Sequence, residues 1–74
     1  MKIKKNELNK RIGQNLRKLR LKRKLEPIEM AKLLRTNYQN ISRWEEGIVD
    51  MKVSTFIQLA HFFEVSLEEL STES

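Results

Sequence analysis

Seventy-four residues with two glycines, one proline and no cysteine make one small domain, favour an all-α fold and exclude disulfides. No apolar run approaches the ~18 residues of a membrane span, and the basic N-terminus lacks the apolar segment of a secretory signal. Charge is unevenly divided: residues 1–24 hold eleven Lys or Arg against Glu7 alone, net +10, whereas residues 25–74 carry net −5.

The basic third of the chain is fit to meet a polyanion, although the same charge also suits a solubilising helix face with a loose Lys-rich tail. Residues 1–8 (MKIKKNEL) read as a flexible basic arm. Asn9 is placed to cap a first helix running to about residue 24, with an apolar stripe of Ile12, Leu16 and Leu19, Arg20 beside it, and Leu25 closing its end. Gly13 in its first turn allows close packing at a cost in helix propensity of up to about 1 kcal/mol.

Pro27 suits the first position of a second helix, where its missing N–H is no loss, and Glu26 before it is a weak N-cap. This helix is expected to reach Leu34. Arg35, Thr36 and Asn37 form a turn, and Thr36 or Asn37 caps a third helix spanning residues 38–46, with Gly47 as its stop. The apolar positions of this helix pair are Ile28, Met30, Ala31, Leu34, Ile41 and Trp44. Asn37, Tyr38, Gln39, Asn40 and Arg43 are side chains that suit base edges and phosphates, and none is needed for a core. A helix-turn-helix offers such a face to the DNA major groove.

A connector (residues 48–52) leads to a fourth helix at residues 53–63, with Val53, Phe56, Ile57, Ala60 and Phe63 expected to face inward. Ser66 and Glu69 spell a capping box, with Val65 and Leu70 as its hydrophobic staple, so a short fifth helix starts there. Residues 71–74 are expected to fray, leaving residues 9–70 as the domain.

Five helices in this order resemble the lambda-repressor and Cro type of helix-turn-helix domain, the XRE-type family. The resemblance runs without gaps over about residues 12–70. It rests on Ile12, Leu16, Leu19 and Arg20, then Ala31, Leu34, the run from Ile41 to Glu45, and Gly47, and finally Leu59, Ala60 and residues 65–70 (VSLEEL). It implies a compact five-helix fold in which Tyr38 and Gln39 reach base edges and Arg43 faces the groove, with Asn40 meeting a base or a nearby phosphate. The chemistry agrees: Gln pairs bidentately with adenine, Arg with guanine, and Tyr can touch a thymine methyl or a phosphate. Arg20 and Glu45 match positions that form an ion pair between helices one and three, which would orient the recognition helix.

Three positions depart from the family pattern. Pro27 stands where Gln commonly helps clamp a phosphate, and Glu26 beside it repels the DNA backbone. Arg35 stands where the turn usually holds Gly; a left-handed backbone there strains the residue, while its charge is free to reach a phosphate. The connector, often basic, here reads Ile48, Val49, Asp50 and Met51, leaving Lys52. Phosphate contacts are therefore expected from Arg35, Asn37, Lys52 and the arm residues Lys2, Lys4 and Lys5. Ile48, Val49 and Met51 are expected to tuck into the core or to join helix five in a dimer contact.

No catalytic constellation is visible. His61, the single histidine, reads as a surface or boundary residue, and the adjacent pairs Glu45–Glu46 and Glu68–Glu69 point in different directions along their helices. No phosphate loop or metal-ligand spacing is present, so no enzyme, cofactor or metal is expected. The expected function is a cytoplasmic DNA-binding transcriptional regulator of prokaryotic or phage repressor type, dimeric on a near-palindromic operator of double-stranded DNA. The alternatives are an antitoxin that also binds a toxin protein, and a protein-interaction module that has lost DNA binding.

Overall fold

The computed structural model describes residues 3–73, which form α1 (Lys5–Lys22), α2 (Pro27–Leu33), α3 (Tyr38–Glu46), α4 (Val53–Phe63) and α5 (Leu67–Ser71). No helix among them is long and apolar enough to cross a membrane. A single core gathers Ile12 and Leu16 of α1, Met30 and Ala31 of α2, Ile41 of α3, Leu59, Ala60 and Phe63 of α4, and Leu70 of α5.

Local chemistry explains most boundaries. Pro27 opens α2, where the Glu29 carboxylate accepts from the Glu26 backbone N–H at 2.8 Å. Asn37 caps α3, its side-chain oxygen accepting from the Asn40 N–H at 2.9 Å. Ser66 and Glu69 form the reciprocal capping box of α5, with bonds of 2.9 and 3.0 Å. Each of the first four helices is followed within two positions by a left-handed residue, Lys24, Arg35, Gly47 and Glu64, whose successors fold back onto the last turn: Leu25 N–H donates to Arg20, Thr36 to Ala31, Ile48 to Arg43 and Val65 to Ala60. Three of the four carry a side chain where glycine is favoured, each a strain of roughly 1 kcal/mol.

The structure corrects several expectations. α1 begins at Lys5 rather than at Asn9, so residues 5–8 belong to a helix and not to a loose arm. Nothing caps this start, as the Lys4 side chain makes no cap bond. The turn is held instead by Leu8 packing on the core and by Asn9 donating to Asp50 at 2.8 Å. α1 and α2 end at Lys22 and Leu33, because the left-handed residues follow two positions later in each case. Ile28 is exposed rather than core-facing, and so are Val53 and Ile57. α4 is apolar on most of its surface, so periodicity alone does not choose between overlapping stripes; the buried one is Phe56, Leu59, Ala60 and Phe63. Of the connector residues, Met51 packs on the core, while Ile48 and Val49 stay exposed.

Among the described residues, the polar Arg20 and Asn15 are buried as whole residues. The Asn15 amide donates to the carbonyls of Leu70 at 2.7 Å and Thr72 at 2.8 Å, so the end of α5 is tied to α1. Ser71 is accordingly helical, where fraying was expected from residue 71. At the other end of α1, the Arg23 guanidinium lies 5.3 and 5.1 Å from the rings of Phe62 and Phe63, a cation–π contact that holds the end of α4.

Both glycines of the chain lie where α1 crosses α3. A Cβ on Gly13 would stand 2.4 Å from the Glu45 carbonyl oxygen and 2.5 Å from that of Trp44. Gly47 has a φ of +71°, and a Cβ there would meet the Lys10 backbone at 2.8 Å. The two helices therefore touch through their backbones, at a separation that any side chain would enlarge.

Candidate nucleic-acid interface

α3 buries Ile41 and half-buries Trp44 and Glu45, which fixes its rotation about its own axis. Tyr38, Gln39, Ser42, Arg43 and Glu46 are left on the exposed side. Gln39 and Arg43, four residues apart, share one stripe, and Tyr38, 53% exposed, stands at the helix start. Asn40 is half-buried, and its amide donates to the Thr36 hydroxyl at 2.8 Å. That side chain braces the turn, which sets it apart from its exposed neighbours.

Behind this face lies the Arg20–Glu45 pair. Arg20 Nε donates to one carboxylate oxygen at 2.6 Å and Nη2 to the other at 3.0 Å, while Nη1 donates to the Leu25 carbonyl at 2.8 Å. Only 8% of the Arg20 side chain and 9% of the Glu45 side chain are exposed. The bidentate bond to Glu45 raises the Arg20 pKa above its ordinary value despite the opposing effect of burial. The pair joins α1, the α1–α2 turn and α3 at one point.

The cations assigned to phosphates are scattered. Arg35 is exposed in the turn and Lys52 at the start of α4, with Lys4 exposed just before α1; Lys2 lies outside the described residues. The Asn37 side-chain oxygen is engaged in capping α3. Lys5 pairs with Asp50. That carboxyl is held below the usual carboxylate range, chiefly by its bond to Lys5 and then by Asn9, and the Lys5 ammonium is raised in return by Asp50. A depressed carboxyl pKa means that the tie is complete above the ordinary carboxylate value and is lost as pH falls through the lowered one. Asp50→Asn is thus expected to free Lys5 and to steepen the salt dependence of DNA binding by about one counterion. Log–log titrations of wild type and variant against salt check this; identical slopes would keep Lys5 out of the interface.

Arg17 is one of the cations to which the sequence assigns no role. Exposed Arg17, one turn before Arg20, lines a cleft of about 200 Å³ between α1, α2 and α3 together with Arg20, Pro27, Ser42 and Glu46. The i, i+3 spacing from Arg20 was the available signal. Beside this cleft, Pro27 also borders an open apolar hollow with Ile28 and Tyr38. Among the described residues, no group of three or more His, Cys, Asp or Glu side chains is placed to hold a metal ion.

No curated protein and no solved structure matches the chain. The model of a helix-turn-helix family matches residues 16–70, from α1 through the turn and recognition helix to α5. With more than half of its length so matched, the chain belongs to the XRE-type helix-turn-helix family of DNA-binding regulators, the lambda-repressor and Cro type.

Proposed function

We propose that this protein is a sequence-specific repressor of prokaryotic or phage type that occupies a near-palindromic operator as a homodimer. The observation that carries the reading is the division of α3. Its inner side is fixed by Ile41 and the buried Arg20–Glu45 pair, and its outer side offers Gln39 and Arg43 unencumbered by the core. Gln39 and Arg43 choose bases, Tyr38 adds a contact at the helix start, and Asn40 acts mainly through the turn. Arg17, Arg35, Lys52 and Lys4 supply contacts to the phosphate backbone, where they take over the role that Pro27 and Glu26 do not serve. A two-fold dimer sets two such helices about 34 Å apart on one face of the duplex. Exposed Ile57 and Leu67 border a common hollow and are the apolar surface offered to the second copy.

The test is a titration of the purified protein against duplex from its own upstream region and against random duplex, each at two salt concentrations. Tighter binding to the upstream duplex, falling with salt, supports the reading. Equal binding to both, with no sequence preference obtainable from any pool, would sink it in favour of a protein-interaction role. Gln39→Ala and Arg43→Ala are expected to lower discrimination at one base pair each by about tenfold or more, with little change on random DNA. Equal losses on specific and random duplex would instead make them phosphate contacts.

A further inference from the structure

The start of α2 and the start of α3 meet in an open hollow of about 360 Å³ lined by Glu26, Pro27, Ile28 and Tyr38. Ile28 is 56% exposed and Tyr38 53% exposed, so two large apolar surfaces stand in solvent at the edge of the recognition helix. A phosphate has no reason to settle there: Pro27 has no N–H, Ile28 has no polar side-chain atom, and the Glu26 carboxylate repels an anion. What duplex DNA offers at this depth besides anions and hydrogen-bonding edges is the C5 methyl of thymine, the apolar group of the major groove.

We propose that Pro27, Ile28 and Tyr38 form a reading site for a thymine methyl group, so that α2 contributes to base choice rather than to backbone clamping. The inference rests on the DNA-binding reading and extends it to one base and one atom. Gln39 follows Tyr38 in the chain, and both are exposed at the start of α3, so a base seated against Tyr38 belongs to the same stretch of groove. Sequestering a single methyl against Ile28 and Tyr38 amounts to about a fourfold gain in affinity for thymine over uracil at that position.

The experiment selects duplexes from a random pool with the full chain. Each thymine of the selected sequence is then replaced singly by deoxyuridine, which removes the methyl and keeps the pairing. One position per half-site is expected to lose about fourfold in affinity. Ile28→Ser, at an exposed position that leaves the core intact, is expected to abolish the sensitivity at that position alone, with helicity by circular dichroism unchanged. Placing 5-methylcytosine at the same position separates methyl reading from reading of the whole thymine edge; recovery of affinity over cytosine supports the methyl. A selected sequence in which no thymine responds to deoxyuridine, or an unchanged response in Ile28→Ser, would overturn this proposal while leaving the regulator reading intact. Failure to enrich any duplex would overturn both.

Discussion

Glu45→Ala is expected to destabilise the domain by roughly 3–5 kcal/mol, because it strands the Arg20 guanidinium in a site that is nearly closed to water. Two hydrogen bonds of that guanidinium go to Glu45, and a third, to the Leu25 carbonyl, carries no compensating charge. For a domain of this size, total stability is on the order of 5 kcal/mol, so the variant is expected to be partly unfolded at room temperature. The control is the double variant Arg20→Met with Glu45→Leu, which removes both charges and fills the space. It is expected to recover most of the loss, since a buried pair replaced by apolar groups is often neutral or better. Urea midpoints of the single and double variants measure the coupling. A single-variant loss under about 1 kcal/mol would show that the pair behaves as an exposed surface bridge.

Gly13→Ala is expected to lower stability by about 3 kcal/mol, and here even the sign is informative. Helix propensity taken alone favours alanine over glycine by about 1 kcal/mol. Against this stands the contact at 2.4 Å with the Glu45 carbonyl oxygen and at 2.5 Å with that of Trp44. Both obstacles are backbone atoms in a helix, so neither can swing aside. Relief requires α3 to move away from α1, which loosens Ile41 in the core and stretches the Arg20–Glu45 bonds. In a domain of this size each kcal/mol shifts Tm by about 4–8 °C, so a thermal melt resolves the outcome directly. A rise in Tm would mean that the crossing is looser than the described geometry.

The parts of the fold written in local chemistry are legible in the sequence. Pro27, Gly47 and the Ser66–Glu69 box each carry their own boundary, since a ring, a missing Cβ and a reciprocal pair of bonds act over a few residues. The start of α1 was not legible, because Lys4 gives no capping signal and the turn is held by contacts to Asp50, forty-one residues from Asn9. On α4 the sequence points correctly to Phe56, Ala60 and Phe63 but misplaces Val53 and Ile57, for a related reason: an apolar helix lets its neighbours decide which stripe is buried. Asn15 shows the same limit more sharply. A mid-helix asparagine looks like a solvent-facing side chain until the carbonyls at the end of α5 arrive from across the sequence. The exposure of Tyr38, Gln39 and Arg43 is legible from the pattern of α3, and the pairing of Arg20 with Glu45 follows from the family resemblance. The withdrawal of Lys5 toward Asp50 depends on tertiary placement that no spacing rule contains, whereas the Asn40–Thr36 bond spans four residues.

The backbone crossing at Gly13 and Gly47 also bears on how such a protein diverges. The pose of α3 is set by main-chain contact and inward-facing groups, none of which are the side chains proposed to meet DNA. Substitutions at Tyr38, Gln39 and Arg43 can therefore accumulate without tilting the helix that carries them. On the proposed function, a lineage can exchange one operator for another through a few surface replacements, while the two glycines hold the helix in place.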